Sequence, residues 1–153
     1  MRAKRGFTLV EILIVVVILG ILAAIVVPQF TQASTEAKLN SLASDLHTLR
    51  SQIQLYRTQH NDQIPALADL TALLLETSDV GGTASGTDVR DPAASPPVIY
   101  GPYLERIPTN PFNDLDTIVA WGAGGGGWEY DAANGKIRPG DGGTTNDTVH
   151  ADL

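Results

Sequence analysis

An apolar run from Phe7 to Val27, interrupted by one charge at Glu11, constrains this chain more than any other feature. A segment of about 20 apolar residues is long enough to cross the hydrocarbon of a bilayer as a helix. A carboxylate inside such a segment costs roughly 2.5–3.5 kcal/mol at the membrane centre and less near the edge. Glu11 must therefore be paired, or must reach water at the interface. Arg2, Lys4 and Arg5 precede the run, and no Lys or Arg follows until Lys38. The positive-inside rule then puts the N-terminus in the cytoplasm and the chain beyond about Pro28 on the far side. A cleaved secretory signal has a shorter apolar core and a small-residue site after it. Here Pro28-Gln29-Phe30-Thr31 offers no such site. A plain signal anchor fits the length but leaves Glu11 unexplained.

Beyond Pro28 the pattern changes from uniformly apolar to striped. Leu39, Leu42, Leu46, Leu49, Ile53 and Tyr56 recur at spacings of 3 and 4, with polar residues between them. That is one apolar face of a helix. The stripe closes at His60-Asn61-Asp62, with Pro65 beyond, a helix stop. One helix from Phe7 to about His60 would be roughly 80 Å long at about 1.5 Å per residue. Pro28 removes a backbone hydrogen bond from it and should kink it; Gly20 is a second weak point. The stripe could serve a coiled coil, but at about three heptads it fits packing on the chain's own sheet better.

The remainder divides into a loop region, 62–116, a sheet, about 117–138, and a tail, 139–153. Leu67, Leu70, Leu73, Leu74 and Leu75 predict a short second helix from Ala66 to Glu76. Asp79 to Pro97 is rich in Gly, Ser, Thr, Asp and Pro and reads as loop. Thr117–Trp121, Trp128–Tyr130 and Lys136–Arg138 read as three strands. Asn134-Gly135 between the last two is a hairpin signal. The expected result is a three-stranded antiparallel sheet laid on the apolar stripe. The tail reads as loop or disorder. The fold class is α+β.

Composition excludes several kinds of function. Removing Arg2, Lys4 and Arg5 from 10 basic and 17 acidic residues leaves 7 − 17 = −10, against nucleic-acid binding and a polybasic lipid patch. There is no Cys, hence no thiol chemistry. His47, His60 and His150 form no metal-ligand spacing, and no H-E-x-x-H occurs. Gly124–Gly127 is not followed by Lys-Ser or Lys-Thr, so it is no phosphate loop. No G-x-S-x-G elbow is present. The chain is not expected to be an enzyme.

The string Gly6-Phe7-Thr8-Leu9-Val10-Glu11, behind a short basic leader and ahead of a long apolar helix, resembles the cleavage and methylation motif of type IV prepilins and type II secretion pseudopilins. Gly101-Pro102-Tyr103-Leu104, then Ile107-Pro108-Thr109-Asn110-Pro111-Phe112, is similar to a stretch of the major pseudopilins. The resemblance implies a pilin-like fold, with leader 1–6, a membrane and filament-core helix 7–28, and a periplasmic domain 29–153 whose amphipathic helix spans about 29–61. It implies cleavage between Gly6 and Phe7 by a prepilin peptidase and N-methylation of Phe7. It implies that Glu11 pairs with the new α-amino group of a neighbouring subunit's Phe7 during assembly. Pairing would let two groups costly in lipid offset each other. It further implies that the stretch from Gly20 to Pro28 can lose helicity in the filament.

The implied partners are further copies in a helical homo-oligomer, the peptidase, an inner-membrane secretion platform with a separate ATPase, and the lipid bilayer. The implied location is the bacterial inner membrane, single-pass, with the pseudopilus in the periplasm. Major pseudopilins often hold calcium near the terminal sheet. Asp114, Asp116, Asp131, Asp141 and Asp147 are the acids in reach, but the family's terminal Asp-x-x-Ser-Trp-like segment is missing, which leaves calcium open and its ligands unassigned. Adhesion or motility pilins are an alternative; many close a disulfide that this chain cannot form. A minor, initiating pseudopilin is another, though those often lack the acid at the Glu11 position. A signal-anchored periplasmic enzyme or binding protein would keep an uncut N-terminus and present a pocket of convergent polar groups.

Overall fold

The computed structural model of the chain describes residues 7–79, 81, 82, 100–145 and 148–153. The leader 1–6 with Gly6, most of the 79–97 loop, Ile99 and Asp147 fall outside them. The chain forms two compact units, 1–37 and 38–153, and helix α1 (Leu9–Gln59) runs through both.

In the first unit α1 is apolar on every side, and its large side chains from Phe7 to Phe30 are all exposed. A helix apolar all round is stable only when something apolar surrounds it. This one is long and apolar enough to cross a membrane. Helical assignment continues without a break through Gly20 and Pro28. Next to the proline, Thr31 Oγ1 donates to the Val27 carbonyl at 3.2 Å.

In the second unit the stripe is buried as its spacing predicts. Leu42, Leu46, Leu49 and Ile53 of α1 meet Leu70 and Leu74 of α2 (Leu67–Leu75), Ile107, and Trp128, Tyr130 and Ile137 of the sheet. A Leu or Ile side chain fully withdrawn from water contributes roughly 1.5–3 kcal/mol, so this cluster is the main source of the unit's cohesion. The α1 end is set by Asn61 and Asp62, both with positive φ, a left-handed C-terminal cap.

The Gly-Pro-Tyr-Leu string ties the helices together. The amides of Tyr103 and Leu104 both donate to Leu74 O at 2.9 Å, satisfying the end of α2. The Tyr103 hydroxyl donates to Gln59 Oε1 at 2.6 Å, and its ring meets Tyr56 edge-on.

The sheet differs from expectation in direction. Strands β1 (Ile118–Ala120), β2 (Trp128–Asp131) and β3 (Lys136–Pro139) lie in the order β1-β2-β3. β2 and β3 are antiparallel, with Tyr130 opposite Ile137 as the hairpin signal requires. β1, however, runs parallel to β2, Ile118 opposite Trp128. Parallel neighbours ordinarily need a crossover of a dozen or more residues; here residues 121–127 suffice. Gly124 and Gly125 take positive φ, which lets so short a segment double back. A Cβ on Gly127 would lie 2.1 Å from Leu115 O, so only glycine fits where the loop returns.

The expected loose tail is also corrected. Thr144–Thr145 (β4) pairs antiparallel with Thr148–Val149 (β5), and a short 3-10 turn, His150–Asp152, follows. His150 is buried, and Leu153 packs against the core.

Candidate functional site

The N-terminal acid sits in the first turn of α1, in a closed local arrangement. Thr8 Oγ1 accepts from the Glu11 amide at 3.2 Å, and Glu11 Oε2 accepts from the Thr8 amide at 2.9 Å and the Thr8 hydroxyl at 2.8 Å. This reciprocal capping box satisfies helix-end amides that have no carbonyl partner. Among the described residues the contacts on the carboxylate all fall on Oε2, which leaves Oε1 able to receive a donor from outside. Phe7 precedes the box and is 81% exposed. The structure thus brings Thr8 to Glu11, with Phe7 beside them in sequence. Gly20 and Pro28 lie further along the same helix, and Gly6 is outside the described residues. Thr8 was not among the expected site residues. Its signal was in the sequence: Thr8-x-x-Glu11 ahead of an apolar run is a capping-box pattern.

Of the acids weighed for calcium, Asp114, Asp116, Asp131 and Asp141 do not form a ligand shell; Asp147 lies outside the described residues. Calcium takes 6–8 oxygens, and among the described residues no three of His, Cys, Asp or Glu converge. Asp131 closes its own turn, accepting from the Ala133 amide at 2.9 Å and Asn134 Nδ2 at 2.7 Å. Those bonds, Asn134's first, hold its carboxyl below the usual range. Asp141 is engaged on both oxygens, by His150 Nδ1 at 2.5 Å and by Asn110 Nδ2 at 3.1 Å. Asp114 and Asp116 are exposed. Among the described residues, these four acids do not fit the metal.

In its stead the tail is fastened by side chains. The His150 and Asp141 side chains are 2% and 6% exposed. Phe112 packs on the His150 ring with centroids 4.1 Å apart, and Asn110 Nδ2 also donates to Gly127 O at 3.0 Å.

A second buried carboxylate organises the glycine loop. Glu129 accepts from the amides of Gly122 and Gly124, each at 3.0 Å, and from Arg138 Nε and Nη2 at 2.9 and 2.6 Å. Burial, the largest single influence, pushes its carboxyl up. The bonds from Gly122, Arg138 and Gly124, with the Arg138 charge, outweigh it and leave the group below its ordinary value. The Arg138 guanidinium lies 4.0 Å from the centroid of the Trp121 ring, a cation–π contact. Sequence reading missed Glu129, Asn110 and the His150–Asp141 pair. An acid between two aromatic strand residues is the one local hint of the first; the other partners lie far apart in the chain.

Residues 1–27 match the family model described as the prokaryotic N-terminal methylation motif. A protein of Pseudomonas aeruginosa named type II secretion system core protein G is 31% identical over 150 residues, covering 95% of this chain and 92% of that one. Its namesake in Dickeya chrysanthemi is 32% identical over 127 residues, covering 81% and 73%. Another in Klebsiella michiganensis is 29% identical, covering 81% and 79%. No solved structure matches the chain significantly.

Proposed function

Because the chain belongs to the type II secretion system core protein G family, a structural subunit of the pseudopilus anchored in the inner membrane, we propose how its N-terminus makes it polymerise. Prepilin peptidase cuts between Gly6 and Phe7 on the cytoplasmic side and methylates the new Phe7 amine. The second unit lies in the periplasm. On assembly each subunit exchanges lipid around residues 7–27 for the helices of its neighbours. The Phe7 amine of one copy then meets Glu11 of the next, and only one axial offset satisfies both charges. The segment from Gly20 to Pro28, where one residue lacks a side chain and another an amide proton, is where α1 yields as it packs. The secretion platform and its ATPase supply the work.

The observation that carries this reading is a carboxylate with one oxygen open, set in a helix whose surroundings must be apolar. Mass spectrometry of the protein from its native host tests it. The expected N-terminal peptide begins at N-methylated Phe7. A chain that still begins at Met1 or Arg2 overturns the proposal, because the pairing amine is then never made.

A further inference from the structure

The C-terminal segment is fastened at a cluster of oxygens. Asp141 Oδ1 and Oδ2, Asn110 Oδ1, Gly127 O and Gly143 O belong to one set of hydrogen bonds, which joins the turn after Asn110, the glycine loop and the chain beyond Pro139. Calcium is held by oxygens of these same kinds, carboxylate, side-chain amide and backbone carbonyl. It needs their lone pairs open.

Here each of these oxygens already accepts from an N–H. His150 Nδ1 donates to Asp141 Oδ2 at 2.5 Å. Asn110 Nδ2 donates to Asp141 Oδ1 at 3.1 Å and to Gly127 O at 3.0 Å. The Gly140 amide also donates to Gly127 O, at 3.0 Å. The Phe112 amide donates to Asn110 Oδ1 at 2.9 Å, and the His150 amide to Gly143 O at 3.0 Å. A carboxylate can only accept, so the His150 ring carries a proton on Nδ1 whatever the state of its other nitrogen.

The pair is also closed in. Its side chains are 2% and 6% exposed, and Phe112 packs on the imidazole. A Cβ on Gly143 would lie 2.5 Å from Asp141 Oδ2 and 2.8 Å from His150 Nδ1, so the backbone backs directly onto the bond.

We propose that His150 takes the place of a cation in this chain. Its Nδ1–H closes the C-terminal segment on Asp141, and the oxygens filled in this way are withheld from calcium. The second unit is therefore complete without the metal that the sequence resemblance leads one to expect near the terminal sheet. This holds however the N-terminus is processed and whether or not the chain polymerises. A built-in donor and a metal compete for the same lone pairs, so replacing the donor by an acceptor should turn exclusion into affinity.

Two substitutions separate donor from acceptor at one place. His150→Asn keeps an N–H where Nδ1 stood; His150→Asp sets an oxygen there, against Asp141. The detergent-solubilised full chain is melted in EGTA and again in millimolar calcium. In EGTA, His150→Asn should melt within about 4 °C of the unaltered chain and His150→Asp about 10 °C below it. Calcium should raise the Tm of His150→Asp by several degrees and leave the other two where they were. If His150→Asp cannot be isolated from calcium-poor medium, its recovery with calcium supplied reads the same exchange. Elemental analysis of the unaltered chain, purified from its native host without chelator, should find calcium far below one ion per chain. One calcium per chain, or an unaltered chain whose Tm falls in EGTA, overturns the proposal. So does His150→Asp that is as stable as His150→Asn, or that calcium does not restore.

Discussion

Replacing Glu129 tests how the glycine loop and the β1–β2 crossover are held. The carboxylate accepts four hydrogen bonds, two from loop amides and two from Arg138, and its side chain is 7% exposed against 27% for Arg138. Removing one partner of a fully buried pair costs about 3–5 kcal/mol. Water can still reach part of Arg138, and Trp121 still faces it, which brings Glu129→Ala down to about 2–4 kcal/mol. Glu129→Gln keeps one acceptor for one amide but turns an NH2 toward the other donors, a loss of about 2–3 kcal/mol. For a domain of about 100 residues each kcal/mol moves Tm by about 4 °C, so either variant should melt roughly 10 °C lower.

The assay is thermal unfolding of the detergent-solubilised full chain, followed by tryptophan fluorescence, since buried Trp128 donates to Pro108 O beside this loop. Acid supplies a second reading. The Glu129 carboxyl is held below its ordinary 4.5 in the folded chain. Its contribution is therefore complete above that pH and is lost as pH falls through the folded value. The gap between wild type and Glu129→Gln should be wide at pH 7 and should narrow below about pH 4.5. A Tm change under about 2 °C at neutral pH, or a gap indifferent to acid, would refute the reasoning.

Two further outcomes follow from the sites. Glu11→Ala should leave leader cleavage intact and abolish filaments, scored by mass spectrometry and by shearing; normal filaments in this variant would remove the role proposed for the acid. His150→Ala breaks the buried pair with Asp141 and should destabilise the second unit by about 2–4 kcal/mol, while millimolar calcium should leave the wild-type Tm unchanged; a calcium-dependent rise of several degrees would mean that the Asp141 region opens to make a metal site.

What could be read in advance was what local spacing encodes. The 3- and 4-residue intervals from Leu42 to Tyr56 placed the buried face of α1, and Asn134-Gly135 placed the β2–β3 register. The direction of β1 was not legible. A glycine-rich connection looks the same ahead of a parallel or an antiparallel partner. The choice lies in long-range bonds, Trp128 N to Thr117 O, Trp121 N to Tyr130 O, and Glu129 reaching back to Gly122 and Gly124. The tail misled for a related reason. Its Gly, Thr and Asp content is that of a loop, and its order comes from a His–Asp pair seated against Phe112, which no composition shows. The N-terminal motif was legible because the Gly6–Phe7 pair, the Thr8 cap and the Glu11 acid are packed into six consecutive residues.

The two carboxylates also explain each other. Glu129 has both oxygens filled and a cation against it, so its arrangement is complete within one chain. Glu11 has one oxygen filled, by Thr8, and no cation in its turn, within a segment that lipid must cover. An anion so placed gains most from a donor that also carries positive charge. Before cleavage the Phe7 nitrogen is a neutral amide and cannot supply that charge. After cleavage it is an amine, methylated or not, and it can. On the proposed reading, then, peptidase action does more than trim the subunit: it puts a charged donor on Phe7 itself, four residues from Glu11, where an uncut neighbour offers only the leader cations Arg2, Lys4 and Arg5 and the Met1 amine, all further back along the chain.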